Sequence, residues 1–163
     1  MDRLLFALTL VSALGCALVA GVFFAFSTFV MKALGRLPPP QGIAAMQSIN
    51  VVVLNPWFLT AFLGTAATCL VVAAFSLFRW HEPAAAYLLA GSLLYLLGTA
   101  GVTIVFHVPR NDALAAVDPA GADAGRLWAR YLSGWTAGNH VRTAAALAGA
   151  ALLLVALCCR PSP

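Results

Sequence analysis

The chain has 163 residues, of which 63% are hydrophobic and only 9% are charged, and its mean hydropathy is +0.95. Ordinary soluble domains carry about 25% charged residues, so this composition excludes a water-soluble domain and predicts an integral membrane protein. The net charge of +4 does not indicate nucleic-acid binding. The nine lysines and arginines form no basic run and lie near the ends of apolar segments, which is typical of membrane topology.

Four apolar segments reach the roughly 20 residues that cross the hydrocarbon of a bilayer. They cover about 4–31, 56–78, 84–106 and 140–158. The first is expected to be a transmembrane helix rather than a signal peptide, because its apolar run exceeds the roughly 7–15 residues of a signal's hydrophobic region. The second begins at Asn55 and Pro56, a helix cap followed by proline. The third is expected to end at Pro109.

Four crossings place both termini and the short turn 79–83 on one side of the membrane, and the connections 32–55 and 107–139 on the other. Each long connection has the helical spacing of an amphipathic helix. The face in the first connection consists of Ile43, Gln47, Asn50 and Leu54. The face in the second consists of Trp128, Tyr131, Trp135, Asn139 and Arg142, and it requires one continuous helix through Gly134 and Gly138. The prediction is an all-α, single-domain, four-transmembrane-helix bundle with two amphipathic connecting helices on one membrane side.

Small residues recur at every fourth position on two predicted helices. They are Ala13, Ala17, Gly21 and Ala25 on the first, and Ala61, Thr65, Cys69 and Ala73 on the second. Such stripes allow close approach of helices in lipid, either within one chain or in a homo-oligomer, and both alternatives stay open.

The long connections carry six basic residues against three elsewhere, Arg3, Arg79 and Arg160. This distribution favours a cytoplasmic position for the long connections in a bacterial cytoplasmic membrane.

Polar and aromatic residues gather at the end of the bundle formed by the long connections. They are Gln47, Asn50, Asn55, His107, Arg110, Asn111, Asp112, Trp128, Tyr131, Trp135, Asn139, His140 and Arg142. Taken singly, the aromatic residues suit an interfacial belt, Asn55 suits a cap and the histidines suit membrane anchors. Anchoring does not require a glutamine and several asparagines beside them, so the set predicts a functional site at this end.

Three stretches of the chain resemble the anthrone-oxygenase-like family of small membrane proteins. They are "AGVFFAFSTFVMKALGRLPPPQGIAAMQSINVVVLNP", "VPRNDALAAVDP" and "WARYLSGWTAGNHVRT", in that order. The family's signature polar positions correspond here to Gln47, Asn50, Asn55, Pro56, Arg110, Asn111, Asp112, Trp128, Asn139, His140 and Arg142. Two positions depart from the pattern, since Gly138 stands where tryptophan is common and His107 stands where asparagine is common.

The resemblance implies oxidation of an anthrone to an anthraquinone by molecular oxygen. Such a reaction needs a base, donors for a developing oxyanion and an apolar cavity lined with aromatic rings. His140 suits the base, and Arg110, Arg142, Asn50 and Asn139 suit the oxyanion. Binding of the flat ring system is expected of Trp128, Tyr131 and Trp135, and further substrate contacts are expected of Gln47, Asn55 and Asn111.

Two alternatives differ from this enzyme hypothesis. The protein can be a non-catalytic membrane protein that binds a lipid or assists a complex, or His107 and His140 can together hold haem or copper. The four cysteines and three histidines have no metal-ligand spacing, so no metal or other cofactor is expected. The expected partners are membrane lipid and an apolar aromatic small molecule.

Overall fold

The computed structural model describes residues 2–159, and throughout this part the regular structure is helical. We number the helices α1 (Arg3–Leu34), α2 (Pro39–Val52), α3 (Pro56–Phe78), α4 (Ala85–Ala115) and α5 (Ala124–Cys158). All except α2 are long and apolar enough to cross a membrane. The predicted all-α architecture with four membrane-spanning helices is therefore confirmed. Arg160, one of the basic residues in the topology argument, lies outside the described residues.

Polar caps fix where two of the membrane helices begin. The Asp2 side chain accepts a hydrogen bond of 2.9 Å from the amide of Leu5 at the start of α1. Asn55 caps α3 by accepting 3.0 Å from the amide of Phe58, and Pro56 follows as the first helical residue. Caps satisfy amides that the helix itself leaves without acceptors. The boundary at Asn55 and Pro56 is as predicted, and the Asp2 cap is an addition from the structure.

Helix α4 continues beyond the expected stop at Pro109, so that prediction is wrong. The stretches Leu94–Gly101 and Thr103–His107 are π-helical, and an α-helical segment resumes at Val108. Where π geometry returns to α geometry, one carbonyl has no regular helical donor. A proline, which lacks an amide hydrogen, is tolerated at such a point.

Helix α5 runs without interruption through Gly134 and Gly138 for 35 residues. The second amphipathic segment is therefore the first half of the fourth membrane helix, and not a separate connecting helix ending near residue 140. The connection before α5 shrinks to residues 116–123. The other amphipathic helix, α2, is separate as expected, but it ends at Val52, so that the exposed Leu54 falls outside it.

The bundle core shows which small-residue stripe packs within the chain. Thr65, Cys69 and Ala73 of α3 are buried, as packing within the chain requires. On α1, Ala17 and Gly21 are exposed, and the buried face carries Ser12, Cys16 and Ala20 instead. The α3 stripe lies in the bundle as expected, whereas the α1 stripe is divided, with Ala13 buried and Ala17 and Gly21 facing outward.

Candidate functional site

One face of α5 enters the bundle and carries the polar residues of the candidate site. Trp128, Tyr131, Trp135, Asn139 and Arg142 are each at most 8% exposed. They recur at helical spacing, and no glycine kink separates them, because α5 is continuous. The predicted stripe is thus brought together on one buried surface.

Asn139 and Arg142 form the centre of this surface, which we call the Asn–Arg centre. The Asn139 amide donates 2.7 Å hydrogen bonds to the carbonyl of Phe23 and to the hydroxyl of Ser27. Its oxygen accepts a hydrogen bond of 2.6 Å from Nη2 of Arg142, and Nη1 of Arg142 donates to the Thr103 hydroxyl at 3.1 Å. Three helices therefore meet in one polar network, with α1 supplying Phe23 and Ser27, and α4 supplying Thr103.

The guanidinium of Arg142 is 4% exposed and has no carboxylate partner among residues 2–159. Its Nε is buried and has no hydrogen-bond acceptor in the same residues. Burial of a charge without a counter-ion is unfavourable, and ionisable groups inside membranes therefore point to function. The Asn–Arg centre has the charge and the unused donor of an anion receptor.

Aromatic rings cover the remaining faces of the guanidinium. Its Cζ lies 4.1 Å from the ring centroid of Phe23 and 5.1 Å from that of Trp135. Cation–π contacts of this kind favour a cation that has lost its water. The aromatic rings hold the plane of Arg142 but leave its net positive charge unneutralised.

His107 also contacts Trp135 and is buried to 1% exposure. Its ring contacts the Trp135 ring edge to face, with centroids 5.1 Å apart. The nitrogen Nε2 is 3.2 Å from the Trp135 carbonyl, and Nδ1 is 3.4 Å from the Val102 carbonyl. A neutral imidazole donates only one hydrogen bond, so one of these carbonyls faces a ring nitrogen that carries no proton.

Asn111, in the last turns of α4, connects α4 to α5 by accepting two hydrogen bonds. The Tyr131 hydroxyl donates to its oxygen at 2.9 Å, and Nε1 of Trp135 donates to the same oxygen at 3.1 Å. Gln47 of α2 donates to the carbonyls of Leu114 and Val117 at 2.9 and 3.0 Å. These contacts hold α2 and the end of α4 together at one end of the bundle.

Asn50 and Trp128 also lie in this layer, which covers the Asn–Arg centre from the connection side. Trp128 stacks on Tyr131 with an interplanar angle of 13°, and Asn50 faces the Tyr131 hydroxyl. The nitrogens Nδ2 of Asn50 and Nε1 of Trp128 are buried and have no acceptor among the described residues. Both residues belong to this layer, and neither accepts a hydrogen bond from the Arg142 guanidinium.

Two predicted site residues serve local structure. Asn55 uses both ends of its amide in capping, because its nitrogen donates to the Val52 carbonyl at 2.9 Å and its oxygen accepts from Phe58. Arg110 donates to the Phe106 carbonyl at 2.9 Å and lies 3.4 Å above the Phe106 ring. Arg110 therefore holds Phe106 and does not join the hydrogen bonds of the Asn–Arg centre.

His140 is exposed on a different face of α5. It lines a cleft of about 610 Å³ between α1 and α5, together with Lys32 and Arg36. Position 140 is 100° around an α-helix from position 139, so the inward direction of Asn139 turns His140 outward. The structure does not bring His140 to the Asn–Arg centre, and its role as a base stays a prediction.

An apolar groove of about 600 Å³ lies between α4 and α5 beside His107. It is lined by Leu97, Gly101, Val102, Val105, Phe106, Ala137, Gly138 and Val141. Leu97, Val105 and Val141 are 67%, 78% and 53% exposed, so the rim faces the surroundings of the bundle. Gly138 forms part of the wall, and a Cβ at this position would lie 2.9 Å from Cε1 of His107.

The family model for anthrone oxygenase matches residues 57–152. This chain belongs to the anthrone oxygenase family. The match covers the Asn–Arg centre, His107, His140 and the apolar groove, whereas Gln47, Asn50 and Asn55 lie before it. No curated protein and no solved structure matches the chain.

Gly138 and His107, the two positions expected to depart from the family pattern, lie close together. A Cβ on Gly138 would collide with the Phe106 ring as well as approach His107. An aromatic side chain at position 138 therefore does not fit beside Phe106 and His107 as they are placed. The glycine admits the imidazole and keeps the groove open.

Sequence reasoning set His107 aside and missed Phe23, Ser27 and Thr103. A hydroxyl residue inside an apolar span is a weak signal, because it usually bonds its own helix, as Thr103 also does through the Thr99 carbonyl at 2.8 Å.

The two histidines proposed as joint metal ligands lie on different helices, with His107 buried on α4 and His140 exposed on α5. Within residues 2–159 there is no group of three or more histidine, cysteine, aspartate or glutamate side chains suited to a metal ion.

Proposed function

We propose that the protein is a membrane oxygenase that oxidises a flat, apolar, anthrone-like substrate with molecular oxygen. The single observation that carries the proposal is the buried Arg142, a cation without a carboxylate partner among the described residues and with an unused Nε. Deprotonation of an anthrone spreads negative charge onto its carbonyl oxygen. A fixed cation in a water-poor site stabilises such an oxyanion strongly.

The apolar groove is the proposed binding surface for the substrate. Its volume of about 600 Å³ falls within the roughly 300–1,000 Å³ of small-molecule pockets. Its exposed rim of Leu97, Val105 and Val141 suits entry from the hydrocarbon of the membrane. Phe106 forms an aromatic wall of the groove for stacking. The Arg110 guanidinium lies over its ring.

His107 is the base that this geometry favours. It lies between the groove wall at Gly138 and Trp135, the ring on which Arg142 packs. Uptake of a proton would give both ring nitrogens a hydrogen, for which the carbonyls of Trp135 and Val102 are the acceptors. The Val102 contact is the longer, at 3.4 Å, and is the one that proton transfer from the substrate would rearrange.

The reaction balances without a further reductant. The base removes one proton from the central CH₂ group of the substrate, and the resulting anion adds dioxygen at that carbon. Loss of water from the peroxide converts the carbon into a carbonyl. One oxygen atom remains in the anthraquinone, and the other leaves as water with the two hydrogens of the former CH₂ group.

The two histidines can be separated by a direct experiment. Oxygen uptake and anthraquinone formation would be measured with anthrone in membranes that carry the parent chain, His107→Gln or His140→Gln at equal protein levels. We expect His107→Gln to lower the rate by a factor of about 10²–10⁴, the usual contribution of general base catalysis. His140→Gln is expected to retain most of the rate.

The reverse result would return the base to His140 and leave His107 a packing residue. Equal, full activity in both variants would exclude a histidine base. No turnover of anthrone above the rate in membranes without the protein would contradict the proposed reaction itself. Arg142→Lys serves as the partner variant, because lysine keeps the charge but loses the planar guanidinium, and we expect it to be slow as well.

A further inference from the structure

The cleft between α1 and α5 gathers basic side chains on the outer surface of the bundle. Lys32 lies in the last turn of α1, and Arg36 lies in the turn that follows it; both are exposed, and His140 joins them from α5. The lining contains no acidic residue, and neither cation has an ion-pair partner in the part of the chain that the structure describes. Like charges at this spacing repel each other, so an anion between them would relieve the repulsion.

Two hydroxyl groups point to the same role. Ser133 and Thr136 line the cleft from α5. Two other hydroxyls of these helices bond carbonyls of their own helix, Thr28 with Phe24 at 2.7 Å and Thr143 with Asn139 at 2.8 Å. Within residues 2–159 the hydroxyls of Ser133 and Thr136 have no such bond, and they remain free to donate to a ligand.

The cleft also has the shape and polarity of an amphiphile's binding site. Leu132 and His140 are eight residues apart on α5, which corresponds to about 12 Å along the helix axis. Lys32 and Arg36 lie toward the connection end of the bundle, where α1 finishes. Met31, Leu132 and Ala137 add apolar walls along the same length. A free phosphate ion would use only the basic end, whereas a lipid would use the whole cleft.

We propose that this cleft binds the headgroup of an anionic phospholipid. Lys32 and Arg36 contact the phosphate, and Ser133, Thr136 and His140 donate to oxygens of the glycerol ester region. The site is separate from the apolar groove, which lies between α4 and α5. The proposal does not depend on the oxygenase reaction and gives His140 a role outside the Asn–Arg centre.

The experiment measures lipid binding to the purified, delipidated full chain in detergent, by native mass spectrometry and by the shift in unfolding temperature. The probes are phosphatidylglycerol, phosphatidylcholine and inorganic phosphate. The test variant is Lys32→Gln with Arg36→Gln. The matched control is Arg126→Gln with Arg130→Gln, which removes the same charge at the same spacing from exposed positions outside the cleft.

We expect saturable binding of phosphatidylglycerol that is at least about tenfold weaker in the test variant than in the control, because local cations dominate binding to anionic headgroups. Lys32→Arg with Arg36→Lys, which keeps both charges, should bind nearly as the parent chain does and shows that the fold is intact. Equal weakening in test and control variants would mean diffuse surface attraction and would overturn the proposal. Equal affinity for phosphatidylcholine, protection by inorganic phosphate at the same concentration, or no phosphatidylglycerol binding would also overturn it.

Discussion

The two ends of the bundle differ in the polar side chains that they bury. Near the 79–83 turn, several buried hydroxyls make neutral hydrogen bonds, as Thr9 does with the Leu5 carbonyl at 2.7 Å, Ser76 with the Ala73 carbonyl at 2.7 Å and Ser12 with the Thr68 hydroxyl at 2.9 Å. Charges stay at the surface there, where Arg79 contacts Asp2 at 2.6 Å. Near the long connections, a whole guanidinium is buried with Arg142. Short hydroxyl side chains are sufficient for helix packing in lipid. The fold therefore does not require a buried guanidinium, and we attribute Arg142 to the site.

Among the variants that test this difference between the two ends, Arg142→Met should have the largest effect, and the effect should be on the oxidation rate. The oxidation rate should fall by about 10²–10³, the usual consequence of losing an oxyanion donor. The unfolding temperature should change little, because removal of a buried charge without a counter-ion offsets the loss of the donor to the Asn139 oxygen. Anthraquinone formation and thermal unfolding would be measured on the same preparation. A large loss of stability with an unchanged rate per folded molecule would make Arg142 a structural residue.

Asn139→Leu should produce the next largest change, this time in stability. Leucine removes the acceptor of Arg142 Nη2 and the donor to the Phe23 carbonyl and the Ser27 hydroxyl, and a buried group left unsatisfied costs about 1–3 kcal/mol. We expect the free energy of unfolding to fall by about 3 kcal/mol, measured by denaturant titration in detergent.

Ser12→Ala is the control for Asn139→Leu at the opposite end of the bundle. Ser12 donates to the Thr68 hydroxyl at 2.9 Å, a neutral contact between helices of the kind worth about 0.6 kcal/mol in membranes. Similar losses in the two variants would contradict the distinction between the ends.

Gly138→Ala tests how closely the groove wall is packed. Its new Cβ would collide with Phe106 and crowd His107, and overpacking of this kind costs about 1–3 kcal/mol. Gly64→Ala is the matched control, because a Cβ there meets nothing within 4 Å and alanine favours a helix by about 0.5–1 kcal/mol. Opposite signs in the unfolding free energies of the two variants would support the described packing, and equal signs would contradict it.

Asp2→Asn should have the smallest effect, limited to the turn end. The amide hydrogen bond from Leu5, followed by the nearby Arg79, holds the pKa of Asp2 below its usual value of 3.8. A lowered pKa in the folded chain means stabilisation at pH values above 3.8 that disappears as the pH falls through the folded value. The parent chain should therefore unfold at a slightly higher temperature than Asp2→Asn near pH 7, and the difference should shrink as the pH falls below 3.8 and through the folded pKa. A difference that does not change with pH would show that the carboxylate charge is not responsible.

Much of this site was predictable from helical periodicity. The stripe from Trp128 to Arg142 follows from 100° per residue, and the same rule turns His140 away from Asn139. The inward position of His107 was not predictable in this way. Two π-helical stretches precede it in α4, and each changes the angular register that a regular helical wheel assumes. The apolar groove also escaped prediction, because it depends on how α4 and α5 approach at Gly138.

The length of α5 sets the depth of the Asn–Arg centre. Arg142 lies 16 residues before Cys158, which is about 24 Å along the helix axis and several ångströms short of the roughly 30 Å hydrocarbon layer. With Cys158 placed at the opposite boundary of the hydrocarbon, the buried charge would stand just inside the boundary between hydrocarbon and headgroups. At that depth, an apolar substrate and dioxygen can arrive by partition from the lipid, while the water formed in the proposed reaction has only a short path to the aqueous phase.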